Sequence, residues 1–342
     1  MNNRNKIAVI TGVNGQDGSY LAEFLLAKGY EIHGFVRPIS QKQATSNEFI
    51  NIRHLVGLPQ LTVHHVDVAD EKSLKKTICE IGPSEIYHLA AQSHTPKSFE
   101  DSWGTFQTNT QSTLAILSLI KDRMPSAKFY FAASSELFGD AVESPQNEHT
   151  PFNPISPYGI SKVAGFYLTK LYRKKYSIFA CSGICFSHES PRRGEIFVTR
   201  KITSTAARIK YGLAEKVFLG NLETRRDWGY SGDFVEAIWA MLQHRSPDDY
   251  VIGTEENHTI QEFVERVFDY LGLDWKRHVV VDPSLYRPAE TNPWLADATK
   301  ARRILGWSPK TSFKELIKMM IENDLEVVRR ELVRDQNECR EG

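Results

Sequence analysis

The stretch Ile7-Ala8-Val9-Ile10-Thr11-Gly12-Val13-Asn14-Gly15-Gln16-Asp17-Gly18 decides the architecture. Its four leading apolar residues read as a strand buried on both faces. Gly12, Gly15 and Gly18 follow at a constant spacing, directly before a segment with Leu21, Phe24 and Leu25 at helical core positions that stops at Gly29. There the first two glycines permit a tight turn and close approach of backbone to a pyrophosphate, and the third lets helix pack on strand. The spacing alone is a weak signal. Set between a strand and a helix, and followed by a second strand from Glu31 to Val36, it completes a βαβ unit and points to dinucleotide binding.

Outward from this unit, strand-like runs recur at 61–66, 85–90, 128–132 and 178–186, with helical segments at 71–81, 107–121 and 158–176 between them. The alternation predicts an α/β fold, a doubly wound parallel Rossmann sheet with helices on both faces. After Phe186 the rhythm changes to helices at 198–211, 234–243, 260–271 and 313–330, joined by short strands and Pro-rich loops. We expect residues 1–187 to form the dinucleotide-binding domain with the catalytic residues. Residues 188–342 would be mainly a smaller, partly interleaved α/β substrate-binding lobe, with segments near 230–255 returning to the first domain. The polar tail from Asp335 is expected to fray.

Lys+Arg and Asp+Glu both total 42 in a chain of 342 residues, a balance that argues against nucleic acid or a membrane surface as partner. No apolar run is long enough to span a bilayer, and Met1 to Lys6 leads into a strand rather than a secretory signal, so a cytoplasmic location is expected. Cys79, Cys181, Cys185 and Cys339 lack metal-ligand spacing, and no metal is expected; Cys181 and Cys185 read as buried free thiols.

The end of the second strand bears on the cofactor. An acid there would bind the ribose hydroxyl of NAD, but Val36 is followed by Arg37, which suits the 2′-phosphate of NADP and reads otherwise as a surface charge. Asp67, past the third strand, is placed to meet adenine or to cap the next helix. In Ser156-Pro157-Tyr158-Gly159-Ile160-Ser161-Lys162, Ser156 can cap a helix that Pro157 opens. Tyr158 and Lys162 then share one face, where an ammonium would lower the phenol pKa toward that of a base. Such pairs are common by themselves. Ser134 and Glu136, however, stand at the carboxyl end of a buried strand, where ligands sit in such sheets, and are expected to converge with Tyr158.

These residues resemble the extended short-chain dehydrogenase/reductase superfamily and, within its nucleotide-sugar branch, the GDP-mannose 4,6-dehydratases. The likeness spans nearly the whole chain. It is carried by the glycine turn, Leu89-Ala90-Ala91-Gln92-Ser93-His94, Ser134-Ser135-Glu136-Leu137-Phe138-Gly139 and Ser156-Pro157-Tyr158-Gly159. His188-Glu189-Ser190-Pro191-Arg192-Arg193-Gly194, Phe197-Val198-Thr199-Arg200-Lys201, Arg226-Asp227-Trp228-Gly229 and Tyr286-Arg287-Pro288 extend it through the second lobe. The resemblance implies a lyase acting on a GDP-sugar with NADP. Ser134, Glu136, Tyr158 and Lys162 would be catalytic. Gly12, Asn14, Gly15, Gln16, Asp17, Gly18, Arg37, Asp67, Val68, Leu89, Ala90, Ala91, Tyr158, Lys162, His188 and Arg193 would hold the cofactor. Ser93, Ser187, Val198, Lys201, Arg226, Arg287 and Glu290 would hold the substrate, and a homodimer or homotetramer is implied.

The dense cations of the second lobe, Arg200 among them, suit a nucleotide diphosphate. The chain departs from the family pattern at Ser187, where the family has Asn, in the 95–110 segment, and at Pro38-Ile39-Ser40. Three alternatives stay open: a 4,6-dehydratase of another GDP-sugar such as a GDP-manno-heptose, a GDP-sugar reductase or epimerase, and a silent NADP-binding sensor. Glu136 argues against the reductase and epimerase; the intact catalytic set argues against the sensor.

Overall fold

The structure is a computed structural model that describes residues 6–38, 49–286 and 293–341, with side chains as far as Arg334. Strands β1 (Ile7–Thr11), β2 (Glu31–Val36), β3 (Leu61–His65), β4 (Glu85–His88), β5 (Lys128–Ser134) and β6 (Ala180–Cys185) build most of the sheet. Between them lie α1 (Gln16–Ala27), α2 (Glu71–Ile81), α3 (Thr95–Glu100), α4 (Ser102–Phe106), a π-helical turn (Gln107–Gln111), α5 (Ser112–Arg123) and α6 (Pro157–Tyr176). Then follow β7 (Ser187–Glu189), α7 (Val198–Lys210), β8 (Val217–Leu219), β9 (Arg225–Arg226), β10 (Trp228–Tyr230), α8 (Ser231–Gln243) and β11 (Asp249–Ile252). The chain continues through β12 (His258–Thr259), α9 (Ile260–Leu271), α10 (Trp275–His278), β13 (Val279–Val281), α11 (Thr299–Leu305) and α12 (Phe313–Glu341).

The main sheet has the order β11-β6-β5-β4-β1-β2-β3, and every pair is parallel. Strand order reverses between β1 and β4, so the loops leaving them part and open a crevice at the carboxyl edge. The strands read as continuous apolar runs because both faces are covered. Leu21 and Leu25 of α1 pack with Phe234, Ile238 and Met241 of α8 on one face, while Leu74, Ile78, Ile116, Ile120 and Phe166 cover the other.

β11 pairs beside β6 at the sheet edge. Arg173 near the end of α6 holds it there, donating from one guanidinium nitrogen to Asp249 Oδ1 (2.9 Å) and to the Ala180 carbonyl (2.8 Å). Ile202 of α7, Phe263 and Val267 of α9, and Leu316 and Met320 of α12 form a third core, separate from the two that cover the main sheet.

Two elements differ from the sequence expectation. The helix expected over 107–121 begins as the π turn and is preceded by α3 and α4, because Asn109 turns inward to hold neighbouring loops. The fray expected from Asp335 gives way to helix through Glu341, the end of an α12 that is already packed over its earlier turns.

Candidate active site

The glycine turn is shaped by missing side chains. Gly12 has φ +74°, a left-handed conformation that favours glycine. A Cβ on Gly18 would sit 2.2 Å from the Gly12 carbonyl oxygen and 2.7 Å from Val13 Cα, so only glycine lets α1 pack on the turn. Gly15 caps α1 without a side-chain hydrogen bond, leaving the helix N-terminus to a ligand of the cleft. Thr11 ties the two sides of the crevice: its Oγ1 accepts from the N–H groups of Leu89 (3.1 Å) and Ala90 (3.0 Å) and meets His88 Nδ1 at 2.9 Å. Having accepted twice, the Thr11 hydroxyl donates to the imidazole, whose Nε2 then donates to Ser112 Oγ (2.9 Å). His88 is therefore neutral, and burial, with the Lys162 charge adding to it, pushes its pKa down to about 3.

The cleft above this turn encloses about 600 Å³, and every cofactor residue expected from the sequence lines it. The cradle fits a dinucleotide pyrophosphate. Asp67 Oδ1 accepts from Ala69 N–H at 2.9 Å and holds the turn before α2, while Asp70 caps that helix. The Asp17 carboxylate faces His188 Nε2 at 2.8 Å and accepts from Ser231 Oγ at 2.8 Å. His188 Nδ1 lies 2.7 Å from the Phe186 carbonyl. Both ring nitrogens thus meet acceptors, so the ring is an imidazolium paired with a carboxylate. Burial opposes both charges, yet each partner prevails: Asp17 is held below the usual carboxylate range and His188 is raised.

Tyr158 enters on the first turn of α6, which Ser156 caps by accepting from Gly159 N–H at 3.0 Å. A Cβ on Gly159 would lie 2.6 Å from the Glu136 carbonyl oxygen, so glycine brings this helix onto the end of β5. The phenol hydrogen-bonds Ser134 and feels the charge of Glu136, which itself accepts from Thr95 Oγ1 at 3.3 Å. Ser134, Glu136 and Tyr158 thereby converge.

Lys162 lies over the Tyr158 ring, as the i, i+4 spacing expects, but its ammonium is anchored on the sheet. Its Nζ donates to the Ala132 carbonyl at 2.8 Å and lies 5.7 Å from the Tyr158 ring centroid. Burial pushes Lys162 down to about 8. Burial also raises the Tyr158 phenol, and the Ser134 hydrogen bond offsets this only in part. The lowered phenol pKa expected from the pair is thus not produced by the protein's own charges: a dry pocket opposes phenolate, and the β5 carbonyl holds the ammonium.

Beyond β7 Arg193 pairs with Glu189 (3.1 Å) and stacks on Phe197, and Arg226 lies over the Trp294 ring, 4.5 Å from its centroid. Ser93, Ser187, Val198 and Arg226 line the cleft. Lys201 does not line it; it stands on α7 within electrostatic reach of Asp282. Arg287 and Glu290 lie outside the described residues. Arg200 is no diphosphate ligand. It is buried against Asp324 (2.6 Å) and donates to the carbonyls of Pro191 (2.7 Å) and Arg193 (2.9 Å), bracing the loop that carries Arg192 and Arg193.

Sequence reading missed Trp294, and it marked Thr95 and Asn109 only as part of the departing 95–110 segment, without their roles: each of the three matters through a partner more than 40 positions away. Among the described residues no cluster of three or more His, Cys, Asp or Glu side chains could hold a metal, and no helix is long and apolar enough to cross a membrane.

Residues 9–320 match the family model described as GDP-mannose 4,6 dehydratase. The chain is 50% identical over 333 residues to GDP-mannose 4,6 dehydratase 2 of Arabidopsis thaliana, covering 96% of this chain and 89% of that relative. It is 44% identical over 348 residues to GDP-mannose 4,6 dehydratase of Homo sapiens, covering 94% of this chain and 92% of the relative. Among solved structures, UDP-glucose 4-epimerase of Thermotoga maritima superposes with a TM-score of 0.81 at 23% identity, covering 94% of this chain and 99% of that one. Identity that low bears on the fold alone.

Proposed function

Since the chain belongs to the GDP-mannose 4,6-dehydratase family, we propose that it removes water from GDP-D-mannose to give GDP-4-keto-6-deoxy-D-mannose. The observation that carries the chemistry is the convergence of Ser134, Glu136 and Tyr158 at the carboxyl end of β5, in the cleft above the glycine turn.

A bound nicotinamide dinucleotide supplies the hydride acceptor for C4 and the hydride donor for C6, so it ends a turnover as it began. Tyr158, oriented by Ser134, takes the proton of the C4 hydroxyl as that carbon is oxidised. Lys162 contributes positive charge to the same pocket from its anchor on the Ala132 carbonyl. The ketone at C4 acidifies C5–H. Glu136 takes that proton and delivers it to the departing C6 hydroxyl, which leaves as water while C5 and C6 become doubly bonded. The hydride returned to C6 is matched by a proton taken up at C5, and Tyr158 gives up the proton it took from the C4 hydroxyl, so one water is the net loss. In the second lobe Arg226, held flat by Trp294, faces the diphosphate.

Arg37, at the end of β2 with no acid beside it, supports NADP over NAD. Three free thiols among the described residues, Cys79, Cys181 and Cys185, support a reducing, cytoplasmic setting. Ile160, Tyr167 and Leu171 stand exposed along α6 with Leu114 on α5, which supports a homo-oligomer built through these helices.

The test is incubation of purified protein with GDP-mannose, with a GDP-manno-heptose in a parallel reaction. Loss of one water by mass spectrometry without net consumption of reduced cofactor is expected, faster with GDP-mannose. Substrate of unchanged mass after prolonged incubation would refute the proposal.

A further inference from the structure

Glu136 is held from the side by a residue with no motif of its own. Thr95 opens α3, lines the same cleft, and donates from its hydroxyl to Glu136 Oε1 at 3.3 Å. The loop carrying it is braced at successive points. Gln92 Oε1 accepts from His94 N–H at 2.7 Å, and Gln92 Nε2 donates to the His94 carbonyl at 3.1 Å. Asn109 in turn clamps the Gln92 backbone, its Oδ1 accepting from the N–H at 2.9 Å and its Nδ2 donating to the carbonyl at 3.1 Å. The same Asn109 amide donates to Ser161 Oγ at 2.9 Å, and Ser161 donates to the Tyr158 carbonyl at 2.7 Å. One π-helical turn therefore sets Thr95 against Glu136 and α6 against both. Insertions of this kind are a frequent way to aim side chains at a site.

The elimination needs more from Glu136 than charge. The C5–H bond breaks and its proton passes to the carboxylate; the electron pair forms the C5–C6 double bond; the C6–O bond breaks, and the hydroxyl departs as water with the same proton. One carboxyl group thus meets two neighbouring positions in one turnover. The terminal torsion of a glutamate is broad, so its oxygens have no intrinsic orientation toward either. A hydroxyl fixed by the Asn109–Gln92 brace supplies one.

We infer that Thr95 is the positioning residue for the elimination half of the reaction, selecting the carboxylate rotation from which Glu136 can serve both C5 and C6. The inference rests on the reading of Glu136 as the acid/base. It separates Thr95 from the residues of C4 oxidation: without its hydroxyl, oxidation proceeds and water loss lags.

The experiment compares Thr95→Val, which keeps shape and loses the hydroxyl, with Thr95→Ser and Glu136→Gln in the intact holoenzyme, following reduced-nicotinamide absorbance during turnover of GDP-mannose. Glu136→Gln should accumulate reduced cofactor. Thr95→Val should do the same in part, with kcat lowered about 10-fold, the worth of one hydrogen bond to a charged group, and KM unchanged. Thr95→Ser should restore both signals. Wild-type kcat in Thr95→Val, or a raised KM without accumulation, would overturn the inference while leaving Glu136 in place. If Glu136→Gln turns over without accumulating reduced cofactor, the acid/base reading itself fails and takes the inference with it.

Discussion

The two walls of the cleft are made of different material. On the sheet side the ligand-facing surface is backbone: the Gly12–Gly18 turn, the uncapped start of α1, and the Leu89–Ala91 segment that Thr11 pins. Across from it the segments after β7 present long cationic side chains that are already engaged. Arg192 donates to Ser19 Oγ and stacks on Tyr20, Arg193 leans on Glu189 and Phe197, and Arg226 lies on Trp294. The first wall is defined by atoms that must be absent, the second by pairs that keep flexible charges in register. Backbone cannot yield to an added carbon without moving as a unit, whereas a guanidinium that loses one partner keeps its charge. Damage to the first wall should be abrupt and damage to the second graded.

The sharpest challenge to this contrast is Gly18→Ala, whose new Cβ would lie 2.2 Å from the Gly12 carbonyl oxygen. The turn has to shift, and cofactor affinity measured by calorimetry should fall with a loss in kcat/KM of at least about 100-fold, the effect of roughly 1 Å of misplacement. Undiminished cofactor binding would mean that the sheet-side wall is not set by backbone.

Next in size is Asp324→Ala, which leaves Arg200 buried without its carboxylate. Unfolding free energy from denaturant titration should drop by about 3–5 kcal/mol, and replacing Arg200 with Met in the same chain should recover much of it. The GDP-sugar KM should rise as the loop braced by Arg200 loosens, with kcat less affected.

The sheet-side wall also predicts its own pH dependence. His88 is neutral in the fold with its pKa near 3 rather than the usual 6.5, so on acidification the unfolded chain takes up a proton that the native chain refuses. Its contribution to stability is present above pH 6.5 and is lost as the pH falls toward 3. His88→Gln should flatten that part of the stability profile. On the alkaline side, Lys162 near 8 should set a decline in kcat as its ammonium is lost.

The smallest effect belongs to the second wall. Arg226→Lys keeps the charge and gives up the planar contact with Trp294, so KM for the GDP-sugar should rise by about 2- to 5-fold with kcat intact. A collapse as large as that of Gly18→Ala would erase the distinction between the walls.

The unequal legibility of the two walls in the sequence has the same cause. Gly12, Gly15 and Gly18 announce themselves because a backbone conformation and a close approach each exclude most residue types, and the constraint is local. Ser156 and Pro157 mark the start of α6 for the same reason. Arg200 looks like its neighbours Arg192 and Arg193 in the sequence, and only its distance to Asp324, 124 positions away, removes it from the ligand site. Lys162 stands at the spacing from Tyr158 that the helix dictates, but the direction of its ammonium was decided by a carbonyl on β5.

By itself, then, the sequence determined the parallel sheet, the crevice at its carboxyl edge, the glycine turn, and the chemical types gathered at the ends of β5 and α6. Those follow from periodicity, turn chemistry and capping, which act over a few residues. Tertiary structure alone decided that Asp17 pairs with a charged His188, that Arg200 is structural, that Asn109 registers two loops against one helix, and that Thr95 reaches Glu136. Each depends on a hydrogen bond or ion pair between side chains or loops distant in sequence, brought together by the packing of the elements that carry them. No window of sequence contains both partners.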